Sequence, residues 1–268
     1  MLSTSNNWCG PGWGVRRGLG GGVPFVANLQ VYLDGDDTDG SANSTRSNGV
    51  AFNDWLNKGA LGGTFSNATG AQQPLFATGL LNGKSGATFD GVDDRLVSSL
   101  AAASFTFLHD GTGASVYVVT RSPTSAVMTM LSTRTAAGAS RGLMVGTNTL
   151  YRAQVLLSDG TVVTATVTGA GGSVSNNLFD VVATRLASAA SPDLRVNTNG
   201  VSVGTTDATA FSALAPAATL HLGSNAVPGA FYGGNILCVL IYNADHDDTQ
   251  RAAVEAFLSA KYGATFPA

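Results

Sequence analysis

The chain has 268 residues and a mass of 27.1 kDa, with 12% charged residues and a formal net charge of −3. That balance excludes a nucleic-acid binder with a broad basic face, a polybasic membrane-surface protein and a charge-rich disordered chain. Two cysteines, Cys9 and Cys238, exclude a disulfide scaffold and a four-thiolate zinc site.

Residues 1–27 are glycine-rich and carry Trp8, Trp13, Arg16 and Arg17. They show neither the period of a strand nor that of a helix, and no apolar stretch of a secretory leader. They read as an arm that adds little to a core and is held by a neighbouring subunit. Its tryptophans suit an interface, and its arginines suit bidentate bonds to carboxylates. Residues 28–268 read as one sandwich domain.

Residues 28–115 hold short apolar pieces between loops, among them the acidic loop Asp34-Gly35-Asp36-Asp37-Thr38-Asp39-Gly40. From residue 116 the chain reads as strands. Val116–Val119 is a buried run, and 179–184, 219–222 and 236–242 are further strands. Asp159-Gly160 and Asn199-Gly200 each separate two apolar runs, the signature of tight hairpins whose central residues need positive φ. Frequent strands with glycine-rich turns predict an all-β antiparallel sandwich. One helix closes the chain. Asp247 or Asp248 caps it, and Ala253, Val254, Phe257, Leu258 and Tyr262 form its apolar face. Gly263 suits the left-handed position after its end.

Three stretches resemble a known family. Phe52-Asn53-Asp54-Trp55 followed by Gln72-Gln73-Pro74 is the first. Asn82-Gly83-Lys84 leading to Phe89-Asp90-Gly91-Val92-Asp93-Asp94-Arg95-Leu96 is the second and most specific. Leu220-His221-Leu222-Gly223, then 231–243 and the terminal helix, is the third. Together they resemble a laminin-G-like domain of the concanavalin A-like lectin/glucanase superfamily, of the type found in phage virion proteins. The resemblance spans roughly residues 50–263 and implies a jelly roll of two antiparallel sheets with a C-terminal α-helix. Cys238 stands where that family commonly has Glu.

The chemistry that the residues allow is sparse. Sixteen of the seventeen acidic residues are Asp, so the two neighbouring glutamates of the superfamily's glucanases are missing. Glu255, the single Glu, is expected on the exposed side of the helix. His221 reads as a core histidine, His246 as part of an acidic turn, and Cys238 as a buried, inert thiol. No catalytic residue is assigned, and no cofactor is expected beyond calcium. Calcium would suit Asp34, Asp36, Asp37 and Asp39, or Asp90, Asp93 and Asp94. The alternative for both clusters is structural, with aspartates holding tight loops. Trp55, Tyr151, Phe231 and Tyr232 are candidates for a glycan platform, with core packing as the plainer account.

The reading is a non-enzymatic bacteriophage virion surface protein: a capsid decoration protein, head fibre or tail-associated module anchored by its arm. Its expected partners are other virion proteins, further copies of itself and a host-surface glycan, with no nucleic acid and no membrane. The alternative is a free carbohydrate-binding lectin or adhesin, and a polysaccharide hydrolase ranks third.

Overall fold

The computed structural model describes residues 22–121, 128–135, 141–148, 150–156, 162–166, 180–186, 194–198, 201–206, 214–227 and 229–263. Their strands are, in chain order, β1 (Leu29–Asp34), β2 (Trp55–Leu56), β3 (Thr64–Ser66), β4 (Leu75–Ala77), β5 (Gly86–Asp90), β6 (Leu96–Ser98), β7 (Ala114–Arg121) and β8 (Met128–Ser132). There follow β9 (Gly142–Asn148), β10 (Leu150–Leu156), β11 (Val162–Thr166), β12 (Asp180–Leu186), β13 (Leu194–Thr198), β14 (Val201–Thr206), β15 (His221–Leu222) and β16 (Gly233–Tyr242). A single α-helix among the described residues, α1 (Asp248–Tyr262), ends the fold.

Two antiparallel sheets form the sandwich. The first runs β14-β13-β12-β7-β16-β5-β4, and β1 also pairs with β16; the second runs β11-β10-β9-β8-β15-β6-β3-β2. The long β16 is the spine of the first sheet. One edge pairs with β7, while the other is shared end to end by β5 and β1. Both expected hairpins form: β10 pairs with β11, and β13 with β14. Their turn residues lie outside the described residues.

The central strands β7 and β16 of the first sheet read as long apolar runs because both of their faces are covered. In β7, Val116 and Val118 point into the core between the sheets, while Tyr117 and Val119 point to the side that α1 covers. β16 does the same, with Ile236, Val239 and Ile241 inward and Leu240 and Tyr242 outward. Its register slips between Ile236 and Cys238 where it meets β7, so Leu237 and Cys238 both reach the outer cluster. Between the sheets lie Trp55, Phe65, Phe76, Phe89, Leu96, Phe105 and Tyr151. Each such side chain contributes about 1.5–3 kcal/mol by leaving water.

Helix α1 begins at Asp247, whose side chain accepts from the Gln250 amide while the Gln250 side chain accepts from the Asp247 amide. It ends at Gly263, with φ 58°. Its buried stripe is Val254, Leu258 and Tyr262, packed in one cluster with Tyr32, Tyr117, Leu237 and Leu240. The helix is rotated from the expected face, so Ala253 is exposed and Glu255 is buried. The expectation of a solvated Glu255 is therefore corrected. Arg251, one turn earlier, donates to it at 2.7 Å and closes over it.

Two turns of the family-like motifs require glycine. Gly223 has φ 81°, and a Cβ there would sit 2.6 Å from the Phe89 ring. Gly91 has φ 78° and lies against the backbone of Gly233.

The end of the glycine-rich arm belongs to the domain. Val23 is buried in the cluster beneath α1, the Pro24 carbonyl accepts from the Tyr242 hydroxyl, and the Phe25 ring lies 5.0 Å from His246. The expectation that all of 1–27 stands apart from the core thus fails for its last residues. Trp8, Trp13, Arg16, Arg17 and Cys9 lie outside the described residues.

Candidate functional site

The acidic loop after β1 is a structural device. Asp34 is 1% exposed and receives Lys261 at 2.7 Å, Lys58 at 3.1 Å and the Tyr32 hydroxyl at 2.8 Å. Burial pushes its carboxyl up, but the two lysines outweigh that and hold it below the ordinary range. Asp36 accepts the Ser85 amide and pairs with Lys84, and Asp37 pairs with Lys58 and accepts the Ala42 amide. Asp39 accepts the Ser41 and Asn43 amides and the Thr45 hydroxyl. Lys58 bridges Asp34 and Asp37, Lys261 lies between Asp34 and Asp36, and Asp39 turns to its own loop. Lysines hold these carboxylates and the four do not gather as one set of ligand oxygens, against the calcium expectation for Asp34, Asp36, Asp37 and Asp39.

Asp90, Asp93 and Asp94 do converge, with one carboxylate oxygen from each within 4.8 Å of the others. Asp90 organises this turn between β5 and β6. Its Oδ1 accepts the amides of Val92, Asp93 and Asp94, and these bonds, working against partial burial, lower its pKa. Asp94 Oδ2 accepts the Asp90 amide at 2.9 Å. Burial, aided by the charges of Asp90 and Asp93, pushes the Asp94 carboxyl up to about 6. With most bonds directed at backbone, the turn is accounted for as a loop staple.

Three of the four proposed glycan-platform residues are core residues. Trp55 and Tyr151 are fully buried between the sheets, and Trp55 donates to the Asp34 carbonyl. Tyr232 is fully buried against Phe89, its hydroxyl bonded to Thr120 and to the Arg121 carbonyl. Each occupies an inward strand or strand-start position, so no ring face remains for a sugar. Phe231 is half-buried and bridges to Thr129.

The histidines and the thiol are buried. His246 accepts or donates to the Tyr117 hydroxyl, and burial lowers its pKa to about 4. His221 is also lowered to about 4, by burial and by Arg95. Cys238 is a buried free thiol pushed up to about 12.

What the sequence reading missed lies on the outer face of the second sheet. In β10, Tyr151 and Ala153 point into the core, so strand alternation turns Arg152 and Gln154 outward. A row crosses the sheet through register partners: Val97, His221, Ser132, Met144 and Gln154. Just beyond β8, Arg134 donates its amide to the Ser132 hydroxyl and its Nη1 to Gln154 Oε1 at 3.2 Å. Arg134 is 1% exposed, yet its Nε has no partner. Arg152 Nε is also buried and unpartnered. Neither guanidinium has a carboxylate partner among the described residues. Burial lowers the pKa of both, and the Arg152 charge adds to the effect on Arg134. Nearby, the segment after β15 returns so that the Ala226 amide meets the Arg134 carbonyl, burying Asn225 with its Oδ1 unsatisfied. The alternation Tyr151-Arg152-Ala153-Gln154 was the available signal for this face.

One further pocket, about 390 Å³, lies where residues 22–29 meet Tyr32 and Lys58–Ala60. Its single cation, Lys58, is already spent on Asp34 and Asp37.

No family model and no curated protein matches the sequence. Among solved structures, the chain is similar to the binding domain of Paraclostridial Mosquitocidal Protein 1, with a TM-score of 0.59 and 9% identity over 88% of this chain and 53% of that one. It is also similar to the botulinum neurotoxin serotype C1 binding domain, with a TM-score of 0.54 and 10% identity over 87% and 52%. The chain thus spans about half the length of either. A third match is the CBM40 domain of Ruminococcus gnavus IT-sialidase, with a TM-score of 0.46 and 18% identity over 55% and 84%. At these identities the likeness concerns the fold, a β-sandwich of two antiparallel sheets.

Proposed function

We propose that this protein is a non-catalytic glycan-binding module that uses the outer face of its second sheet. The observation that carries this reading is the pair Arg134 and Arg152 at the far side of the second sheet, each with a buried Nε that meets no partner, while α1 covers β1, β7 and β16 of the first. Buried cationic donors without partners are expensive to keep unless a ligand meets them. Two fold neighbours, in Paraclostridial Mosquitocidal Protein 1 and in botulinum neurotoxin serotype C1, are themselves binding domains, which agrees with a binding role. A non-enzymatic role is supported by the burial of the described histidines and of Cys238, and by the commitment of Glu255 to Arg251.

The finer reading, a virion surface protein, rests on the arm. Residues 22–29 reach the fold on the outer side of the first sheet, opposite the proposed binding face. An anchor on one side and a recognition face on the other suit a module displayed on a particle. The test is a glycan array followed by calorimetry on the hits. Saturable binding to a glycan class is expected, and no binding across the array overturns the reading. Release of reducing ends from a bound polysaccharide, lost in Asp94→Asn, would replace it with a hydrolase.

A further inference from the structure

Arg134 and Arg152 stand out within an otherwise charge-poor chain. Only 14 residues of 268 are Lys or Arg. Five described basic groups meet a carboxylate: Lys58 and Lys261 with Asp34, Arg46 with Asp54, Lys84 with Asp36, Arg251 with Glu255. Arg95, Arg121 and Arg141 donate to oxygens of Gln72, Asn235 and Ala215. Arg152 on β10 and Arg134 just beyond β8 have no carboxylate partner among the described residues, and each keeps a buried Nε without a bond. Gln154, two residues from Arg152 on the same strand face, takes one proton of Arg134 and fixes the plane of its guanidinium. The remaining donors of Arg134, and those of Arg152, are left to water or to a ligand. A bound anion would meet the bonds that these buried donors leave unmade. A guanidinium fork matches the two coplanar oxygens of a carboxylate.

Resting on the glycan-binding reading above, we infer that Arg152 and Arg134 receive the carboxylate of an acidic sugar residue, with Gln154 holding Arg134 in place. Arg152, half-buried on the strand, makes the accessible contact. Arg134, buried and bonded to Gln154, supplies the second charge.

The test uses the full chain and matched ligand pairs that differ only in the charge. One pair is oligogalacturonate against its methyl ester, and another is sialyllactose against lactose; a sulfated galactan oligosaccharide and inorganic sulfate are controls. Binding is read by calorimetry at two salt concentrations. The carboxylate member of at least one pair is expected to bind, and its neutral partner to bind about 10- to 100-fold more weakly. Arg152→Gln is expected to erase that difference while the melting curve stays cooperative, and Arg152→Lys to restore part of it. Because Arg134→Gln risks the fold, it is read only alongside its own melting curve. Equal affinity for acid and ester, or no effect of Arg152→Gln, overturns the inference and leaves the glycan reading standing. Preference for the sulfated oligosaccharide overturns the carboxylate assignment. Binding of inorganic sulfate with no sugar bound overturns the glycan reading itself.

Discussion

The outer faces of the two sheets are built from the same alternating strands, yet they end in opposite conditions. On the first, beneath α1, Lys58 and Lys261 both meet a carboxylate. Lys261 comes from the last turn of α1, Lys58 from a loop, and both converge on a buried Asp34 while flanking the Tyr32 ring, with Lys58 4.9 Å and Lys261 5.9 Å from its centre. On the second, Arg134 and Arg152 have no such partner among the described residues. The lesson is that charge on one face locks a helix to a sheet, while charge on the other is held in reserve. Substitutions of the same kind should therefore have opposite consequences on the two sides.

The largest effect is expected at Asp34. Removing it as Asp34→Ala leaves two half-buried cations facing each other, and breaking such a pair costs about 3–5 kcal/mol. Chemical denaturation would read this, and a loss under 1 kcal/mol would break the comparison. The sign with pH follows from the depressed carboxyl. Its contribution is present above the ordinary Asp value and is lost as the solution is acidified through the lower folded value.

Next comes the helix seam. Leu258→Ala should cost about 2–5 kcal/mol, because Leu258 is fully buried and its loss leaves a cavity beneath α1. A two-state melting curve would show a matching fall in midpoint.

The rim turn should respond less. Asp90→Ala frees three amides and is expected to cost about 1–2 kcal/mol, more than Asp93→Ala, since Asp93 lends the turn only its amide. Asp94 has the reverse pH sign to Asp34. Its raised folded value stabilises fully below the unfolded value, and that stability is lost as pH rises through about 6. Asp94→Asn should flatten this slope in melting experiments between pH 4 and 7. EDTA is expected to leave the wild-type midpoint unchanged. A calcium-dependent rise that disappears in Asp94→Asn would show a cation at the turn instead of a staple.

The smallest effect should come from Arg152→Gln, within about 0.5 kcal/mol of wild type. A residue retained for a ligand contributes little to the fold, and a large loss here would make Arg152 structural and erase the contrast between the faces.

Much of this architecture is legible in the sequence because period and turn chemistry act locally. Val116–Val119, the Asp-Gly and Asn-Gly hairpins, the Asp247 cap and Gly263 all announce themselves within a few residues. The site is less legible because its members meet only through the sheet. Arg134 and Gln154 are twenty residues apart and touch because β8, β9 and β10 lie side by side. Aromatic residues misled for the same reason. Trp55, Tyr151 and Tyr232 have the chemistry of a sugar platform, and only the register shows that they face inward. Glu255 was misplaced because the helix is rotated toward Val254, with Arg251 lying over the carboxylate.

Strand β1 has a mechanical consequence. The chain enters it at Leu29, runs beside β16 to Asp34, and is fixed at that far end to Lys58 and Lys261. A load applied through the residues before Leu29 and directed along the strand would pull against its rungs together, in shear, instead of opening them one at a time. The last rung is backed by two ion pairs that tie the strand to a loop and to the terminal helix. Tension on this end of the molecule would thus spread into the first sheet, leaving the second sheet and whatever it holds undisturbed.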